Sequence, residues 1–213
     1  MIMLKKLLPS LLLCLSLLGV KTAFAAKNIL IVGDSLSAGY GIPTGEGWVA
    51  LLQKRLGSEY TVQNVSVSGH TTSNGLASLP QALEEYHPVV TIIELGGNDG
   101  LRGIPLATIQ SQFSTMIELA QKNKSKVLLL GVRLPPNYGP EYTQKFQKIY
   151  SDLGKKYSIS VVPLFLKNID TNPKLMQADG IHPVAAAQPL MLDNVWSCLE
   201  PLLNNKSQKI CNT

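Results

Sequence analysis

Ser35, Asp179 and His182 are residue types that together perform acyl transfer. A serine hydroxyl becomes a nucleophile only when a base takes its proton. An imidazole can both accept and return that proton near neutral pH. Asp179 precedes His182 by three residues, so one turn can bring its carboxylate to the ring. There it would fix the tautomer and stabilise the imidazolium. The chain order is Ser, Asp, His, and Ser35 lies in Gly33-Asp34-Ser35-Leu36-Ser37 rather than in a G-x-S-x-G elbow. A tetrahedral intermediate also needs donors for its oxyanion. The backbone N–H groups of Ser35 and Gly69 and the side-chain amide of Asn98 are the candidates.

These residues converge only if the fold brings them together. The apolar run Ile29–Val32 enters the Ser35 segment and reads as a strand buried on both faces. Glycines 39 and 41 and Pro43 then mark a loop before a helical pattern at Trp48, Leu51, Leu52 and Leu56. A second strand carries Val62, Val65 and Val67 and ends before Gly69. Leu76, Leu79 and Leu83 mark the next helix, with Pro80 as a local irregularity. The third strand, Val89 to Leu95, is the most apolar and leads into Gly96-Gly97-Asn98-Asp99-Gly100. A helical stripe at Ile109, Phe113, Met116, Ile117 and Ala120 precedes a fourth strand at Val127–Val132. Phe146, Ile149, Tyr150 and Leu153 make the following helix, and Ile159–Pro163 makes a fifth strand. Met191, Val195, Cys198, Leu199 and Leu202 share one face of the last helix. Five alternations of strand and helix predict a three-layer α/β/α sandwich on a five-stranded parallel sheet. Right-handed crossovers place the strand ends on one edge. Ser35, Gly69, Asn98 and the Asp179–His182 turn all follow strands, so they can meet there.

Other residues offer competing assignments. His70 is a rival base, but no nearby carboxylate in the sequence orients it. Asp34 could act as an acid, although binding backbone N–H groups of the Ser35 loop suits it better. Asp99 reads as a structural cap, and His87 as a helix C-terminal residue before Pro88. Lys122, Lys124 and Lys126 read as a solvated helix end. The glycines after the first strand lack the G-x-G-x-x-G spacing and a Gly-Lys-Ser/Thr, which argues against a nucleotide loop. A non-catalytic acyl-lipid-binding module on the same fold is the alternative, since fold alone does not give function. A fluorophosphonate that labels Ser35 separates the two.

The N-terminus reads as a targeting segment. Lys5 and Lys6 precede a mostly apolar stretch from Leu7 to Val20, and Ala23-Phe24-Ala25 is an A-x-A cleavage signal. Residues 1–25 are therefore expected to be a signal peptide, and residues 26–213 one domain. The stretch is short for a membrane span, and Cys14 lacks the small residue expected before a lipidated cysteine. Of the net charge of +5, three positive charges belong to Lys5, Lys6 and Lys21, leaving +2. No basic patch suggests nucleic acid. Periplasmic or secreted residence follows, with no stable membrane anchor after cleavage and a monomer expected. Cys198 and Cys211 then suit a disulfide tying the tail to the last helix. Neither has the CxxC partner of a zinc or redox site.

The four blocks around Ser35, Gly69, Gly96-Gly97-Asn98-Asp99 and Asp179-Gly180-Ile181-His182-Pro183 resemble those of the SGNH (GDSL) hydrolases, in the family's order. Leu95–Gly103 and Arg133-Leu134-Pro135 resemble its bacterial periplasmic thioesterase I, lysophospholipase and arylesterase branch. The resemblance implies a flavodoxin-like sheet and hydrolysis of acyl esters or thioesters without a metal or other cofactor. It also implies catalytic Ser35, Asp179 and His182, with an oxyanion hole from Ser35, Gly69 and Asn98. The branch often has an acidic residue where this chain has His70. Leu76, Leu101, Ile104, Leu134, Pro135 and Tyr138 fall in or near the expected rim loops and are candidates to bind an acyl chain.

Overall fold

The computed structural model describes residues 26–205 and 211. The expected signal peptide lies outside the described residues. Five strands form one parallel sheet in the order β2-β1-β3-β4-β5. They are β1 (Lys27–Gly33), β2 (Tyr60–Asn64), β3 (Val90–Glu94), β4 (Lys126–Leu130) and β5 (Ser160–Val162). This is the predicted flavodoxin-like arrangement, and its strand order reverses between β1 and β3. Such a reversal opens a crevice beyond the strand ends, where α/β proteins place ligands. Ser35 follows β1 and Asn98 follows β3, so both stand at this switch point.

The unbroken apolar run of β1 is explained by its two faces. Leu30 and Val32 pack toward α3 (Thr72–Tyr86), α5 (Leu106–Lys122) and α6 (Pro140–Tyr157). Ile29 and Ile31 pack toward α2 (Trp48–Leu56) and α7 (Gln188–Leu203). Burying side chains of this size contributes about 1.5–3 kcal/mol each. The expected stripes of α5, α6 and α7 are buried as read. Two short helices complete the strand-end edge, α1 (Ser35–Ala38) and α4 (Gly97–Leu101).

Several details differ from the sequence reading. The second strand ends at Asn64. The N–H groups of Val65 and Val67 still donate to Ile31 and Gly33 carbonyls. Val67 is exposed, however, so its apolar character does not report core. Pro80 sits within α3, as read. Lys126 does not belong to the solvated end of α5. Its ammonium donates to the Leu202 carbonyl and to Asn205 Oδ1 at the end of α7. There a cation meets the negative end of the helix dipole. Cys198 and Cys211 form a disulfide, and the Cys211 N–H donates to the Val161 carbonyl on edge strand β5. None of the helices in the described residues is long and apolar enough to cross a membrane.

Candidate active site

Ser35 is the first residue of α1, at the end of β1. Asp34 caps that helix, with Oδ1 accepting the Leu36 N–H at 3.1 Å. Gly39 ends it in the left-handed region, φ 76°. The turn therefore holds Ser35 at the sheet edge by local hydrogen bonding.

Asp179 and His182 come from a turn closed by a bridge between Met176 and Pro183. The Gln177 N–H donates to the His182 carbonyl at 2.7 Å. Asp179 Oδ1 accepts the N–H groups of Ile181 and His182 at 2.9 and 3.0 Å. Its Oδ2 lies 2.6 Å from His182 Nδ1, and His182 Nε2 lies 2.8 Å from Ser35 Oγ. The three side chains thus form one continuous hydrogen-bonded line. The hydrogen bond to the His182 ring, followed by those to the backbone, lowers the Asp179 pKa to about 2. Tyr40 lies against the other side of the imidazole, with ring centroids 4.5 Å apart. The Gln177 amide ties this neighbourhood together by donating to the Tyr40 and Pro183 carbonyls.

The backbone N–H groups of Ser35 and Gly69 have no hydrogen-bond acceptor among the described residues. Gly69 takes a φ of +81°, a conformation that favours glycine. Asn98 Nδ2 donates to Asp34 Oδ2 and to the His70 carbonyl, each at 3.0 Å. His70 thus meets the site through its backbone, and its ring makes no hydrogen bond to Ser35. Asp99, beside Asn98, is fully buried and accepts the N–H and hydroxyl of Thr72 at the start of α3. It joins α4 to α3, in keeping with a capping role. His87 stands at the exposed C-terminal end of α3, as its position before Pro88 suggested.

Glu94 had no place in the sequence reading. It ends β3, is fully buried, and its Oε2 accepts the Ser37 hydroxyl at 2.8 Å and the Asp34 N–H at 3.3 Å. A β-carbon on Gly33 would come within 2.9 Å of that oxygen, so the first glycine of Gly-Asp-Ser makes room for the carboxyl. Burial pushes the Asp34 pKa up to about 6 and holds Glu94 well above the ordinary carboxyl range, against the pull of their hydrogen-bond donors. The sequence signal was an acid closing an otherwise apolar central strand.

A cavity of about 760 Å³ opens beside Ser35, Asn98 and His182. Leu101, Leu134 and Pro135 line it, as do Leu164, Leu166 and Met176. The other three rim candidates are not part of its wall. Leu76 and Ile104 pack against the core on the α3 and α5 side. The Tyr138 hydroxyl donates to the Leu101 carbonyl. Helical spacing in a sequence does not distinguish a rim residue facing the cavity from one facing the core. Leu164, Leu166 and Met176 lie in an irregular stretch with no pattern to single them out. Among the described residues, no group of three His, Cys, Asp or Glu side chains is placed to hold a metal ion.

The profile of the GDSL-like lipase/acylhydrolase family matches residues 31–189. Esterase TesA of Pseudomonas aeruginosa is 49% identical over 193 residues, covering 89% of this chain and 96% of its own. The Escherichia coli K12 protein named thioesterase 1/protease 1/lysophospholipase L1 is 40% identical, covering 87% of this chain and 89% of its own. A crystal structure of TesA superposes with a TM-score of 0.81 at 50% identity, over 83% of this chain and 99% of that one.

Proposed function

This chain belongs to the GDSL-like lipase/acylhydrolase family, and on that premise we propose that it hydrolyses acyl esters and thioesters through an acyl-enzyme on Ser35. The observation that carries the assignment is the line from Ser35 Oγ through His182 to Asp179, with contacts of 2.8 and 2.6 Å. Ser35 Oγ attacks the carbonyl carbon while its proton passes to His182 Nε2. Asp179 stabilises the imidazolium at Nδ1. Collapse of the tetrahedral intermediate breaks the bond to the leaving group, which takes the proton from Nε2. Water then attacks the acyl-enzyme, giving its proton to Nε2; collapse breaks the bond to Ser35 Oγ, which takes that proton back, and the acid leaves.

The N–H groups of Ser35 and Gly69, together with the Asn98 amide, stabilise the oxyanion. The apolar wall formed by Leu101, Leu134, Pro135, Leu164, Leu166 and Met176 suits an acyl chain. Fatty acyl thioesters, lysophospholipids and aryl esters all present an acyl carbonyl beside such a chain. We also propose export: residues 1–25 act as a cleaved leader, and the disulfide suits an oxidising compartment. The enzyme then acts as a monomer in the periplasm or outside the cell.

Hydrolysis of a p-nitrophenyl ester series by the mature protein and by Ser35→Ala, with EDTA present, tests this reading. Activity that disappears in the variant supports the serine mechanism, and activity that survives there overturns it. The series also gives the acyl-length preference.

A further inference from the structure

Two carboxyl groups unused by this mechanism lie beneath the nucleophile turn. Glu94 is fully buried and Asp34 is 3% exposed. Their strands are neighbours, with Glu94 in register with Gly33, the residue before Asp34. Among the described residues, neither carboxyl has a lysine or arginine within ion-pair distance. Near neutral pH two adjacent carboxyls so buried do not both ionise.

The hydrogen bonds assign the proton. Asp34 uses both oxygens as acceptors, from the Leu36 N–H and from the Asn98 amide. Glu94 Oε2 accepts twice, from the Ser37 hydroxyl and the Asp34 N–H. Glu94 Oε1 is buried and receives no donor. An ionised oxygen there would be a buried charge with no donor beside it, whereas the protonated form is neutral.

Building on the serine-hydrolase reading, we propose that Glu94 is a positioning residue. It is protonated on Oε1, and through the Ser37 hydroxyl and the Asp34 N–H that its Oε2 accepts it holds the Ser35 turn and leaves Asp34 as the single carboxylate facing the Asn98 amide. The pKa directions agree: burial raises both groups, and the neighbouring Asp34 charge raises Glu94 as well. The other titratable groups acting on the pair are His182 from the catalytic turn and Tyr150 from α6, with Asp99 from α4 acting on the same Tyr150. His182 favours an ionised Asp34, and Tyr150 is neutral, its hydroxyl donating to the Leu95 carbonyl.

This arrangement bears on catalysis because Asn98 has only two amide hydrogens. In this structure they go to Asp34 and to the His70 carbonyl. A developing oxyanion must win one of them, and Asp34 is its competitor. A protonated Glu94 adds no second negative charge beside Asp34, so the oxyanion competes for the Asn98 amide with one carboxylate alone.

Two measurements test the proposal. Glu94 is the only buried glutamate among the described residues. Infrared spectra of the wild-type protein near neutral pH, with and without ¹³C-labelled glutamate, should show a protonated carboxyl band that shifts with the label. The absence of such a band overturns the proposal and requires no variant to fold. In the second measurement, wild-type kcat for a p-nitrophenyl ester should fall at alkaline pH, as the pair loses its proton and becomes two carboxylates. Glu94→Gln keeps a donor that cannot ionise, so that alkaline fall should vanish. Glu94→Ala should run about 10²-fold below wild type throughout, the scale of losing one oxyanion donor. An alkaline limb shared by wild type and Glu94→Gln, or absent from wild type, overturns the proposal. Activity surviving in Ser35→Ala would instead remove the underlying mechanism while leaving the infrared result intact.

Discussion

Asp179→Asn replaces one oxygen with nitrogen and should lower kcat about 10⁴-fold, the scale seen when a triad carboxylate becomes an amide. The reasoning follows from which atoms can accept. Asp179 Oδ1 receives two backbone N–H groups, from Ile181 and His182. In the variant only the amide oxygen can receive them, so the amide nitrogen must face His182 Nδ1. Two N–H groups cannot donate to each other. The ring therefore takes the tautomer with Nδ1 as acceptor and a proton on Nε2. That proton points at Ser35 Oγ, 2.8 Å away, and the base is lost. At about 1.36 kcal/mol per decade, 10⁴-fold corresponds to about 5.5 kcal/mol of transition-state stabilisation. Folding should survive, because both backbone donors keep an acceptor. Asp179→Ala is the complement: it strips that acceptor from both N–H groups. The Asp179 side chain is 37% exposed, so water replaces much of the loss. The remaining cost is about 1 kcal/mol, or about 2–4 °C in Tm. p-Nitrophenol release and calorimetry on both variants check the pair. A folded Asp179→Asn protein with kcat within about tenfold of wild type would refute the tautomer argument. The pH dependence adds a sign. A carboxyl lowered from 3.8 to about 2 contributes stability above pH 3.8 that is lost as pH falls toward 2. Any loss of kcat/KM above that window must then come from a group other than Asp179.

Three further outcomes follow from particular contacts. The Cys198–Cys211 disulfide closes a sequence separation of 13, so Cys198→Ala/Cys211→Ala should lose about 3 kcal/mol and about 6–12 °C in Tm. Equal calorimetric Tm values for the oxidised wild type and the double variant would refute this. Leu101→Ala and Leu164→Ala enlarge the cavity beside the serine without removing a fully buried core residue. They should lower kcat/KM for long acyl esters about tenfold while sparing the acetyl ester, and an equal loss at every chain length would reject the acyl assignment. Asn98→Ala should lower kcat about 10²–10³-fold with little change in KM, and steady-state kinetics showing a pure KM effect would move Asn98 from oxyanion stabilisation to substrate binding.

The fold was readable because each signal reports a local, repeated property. Ile29–Val32 is apolar at every position because both faces of β1 are covered, and Ile109, Phe113 and Met116 recur at helical spacing because one face of α5 is. Val67 shows the limit. It continues the alternation of β2 and the hydrogen bonding to β1, yet it lies past the covering helices and is exposed. The fate of Lys126 was equally closed to sequence, since its partner Leu202 is 76 residues away and meets it only through packing of the last helix.

The site divides along the same physical line. Ser35, Gly69, Asn98 and the Asp179–His182 turn could be assembled in advance because each follows a strand, and a parallel sheet gathers those ends on one edge. Their roles also require particular residue types, which narrows the field. Glu94 meets the first condition but not the second. A strand-end acid next to an apolar run reads as a solvated terminus until the neighbouring strand is known. Only the register of Gly33 against Glu94 reveals that its carboxyl points into the nucleophile turn rather than into water. The glycine that admits it was visible in the sequence, but its reason lies 61 residues away. The conspicuous Gly-Asp-Ser segment thus depends on a residue outside it. Its serine has a hydrogen-bond partner in His182, its aspartate a carboxyl neighbour in Glu94, and its glycine the missing side chain that brings the two strands' chemistry together.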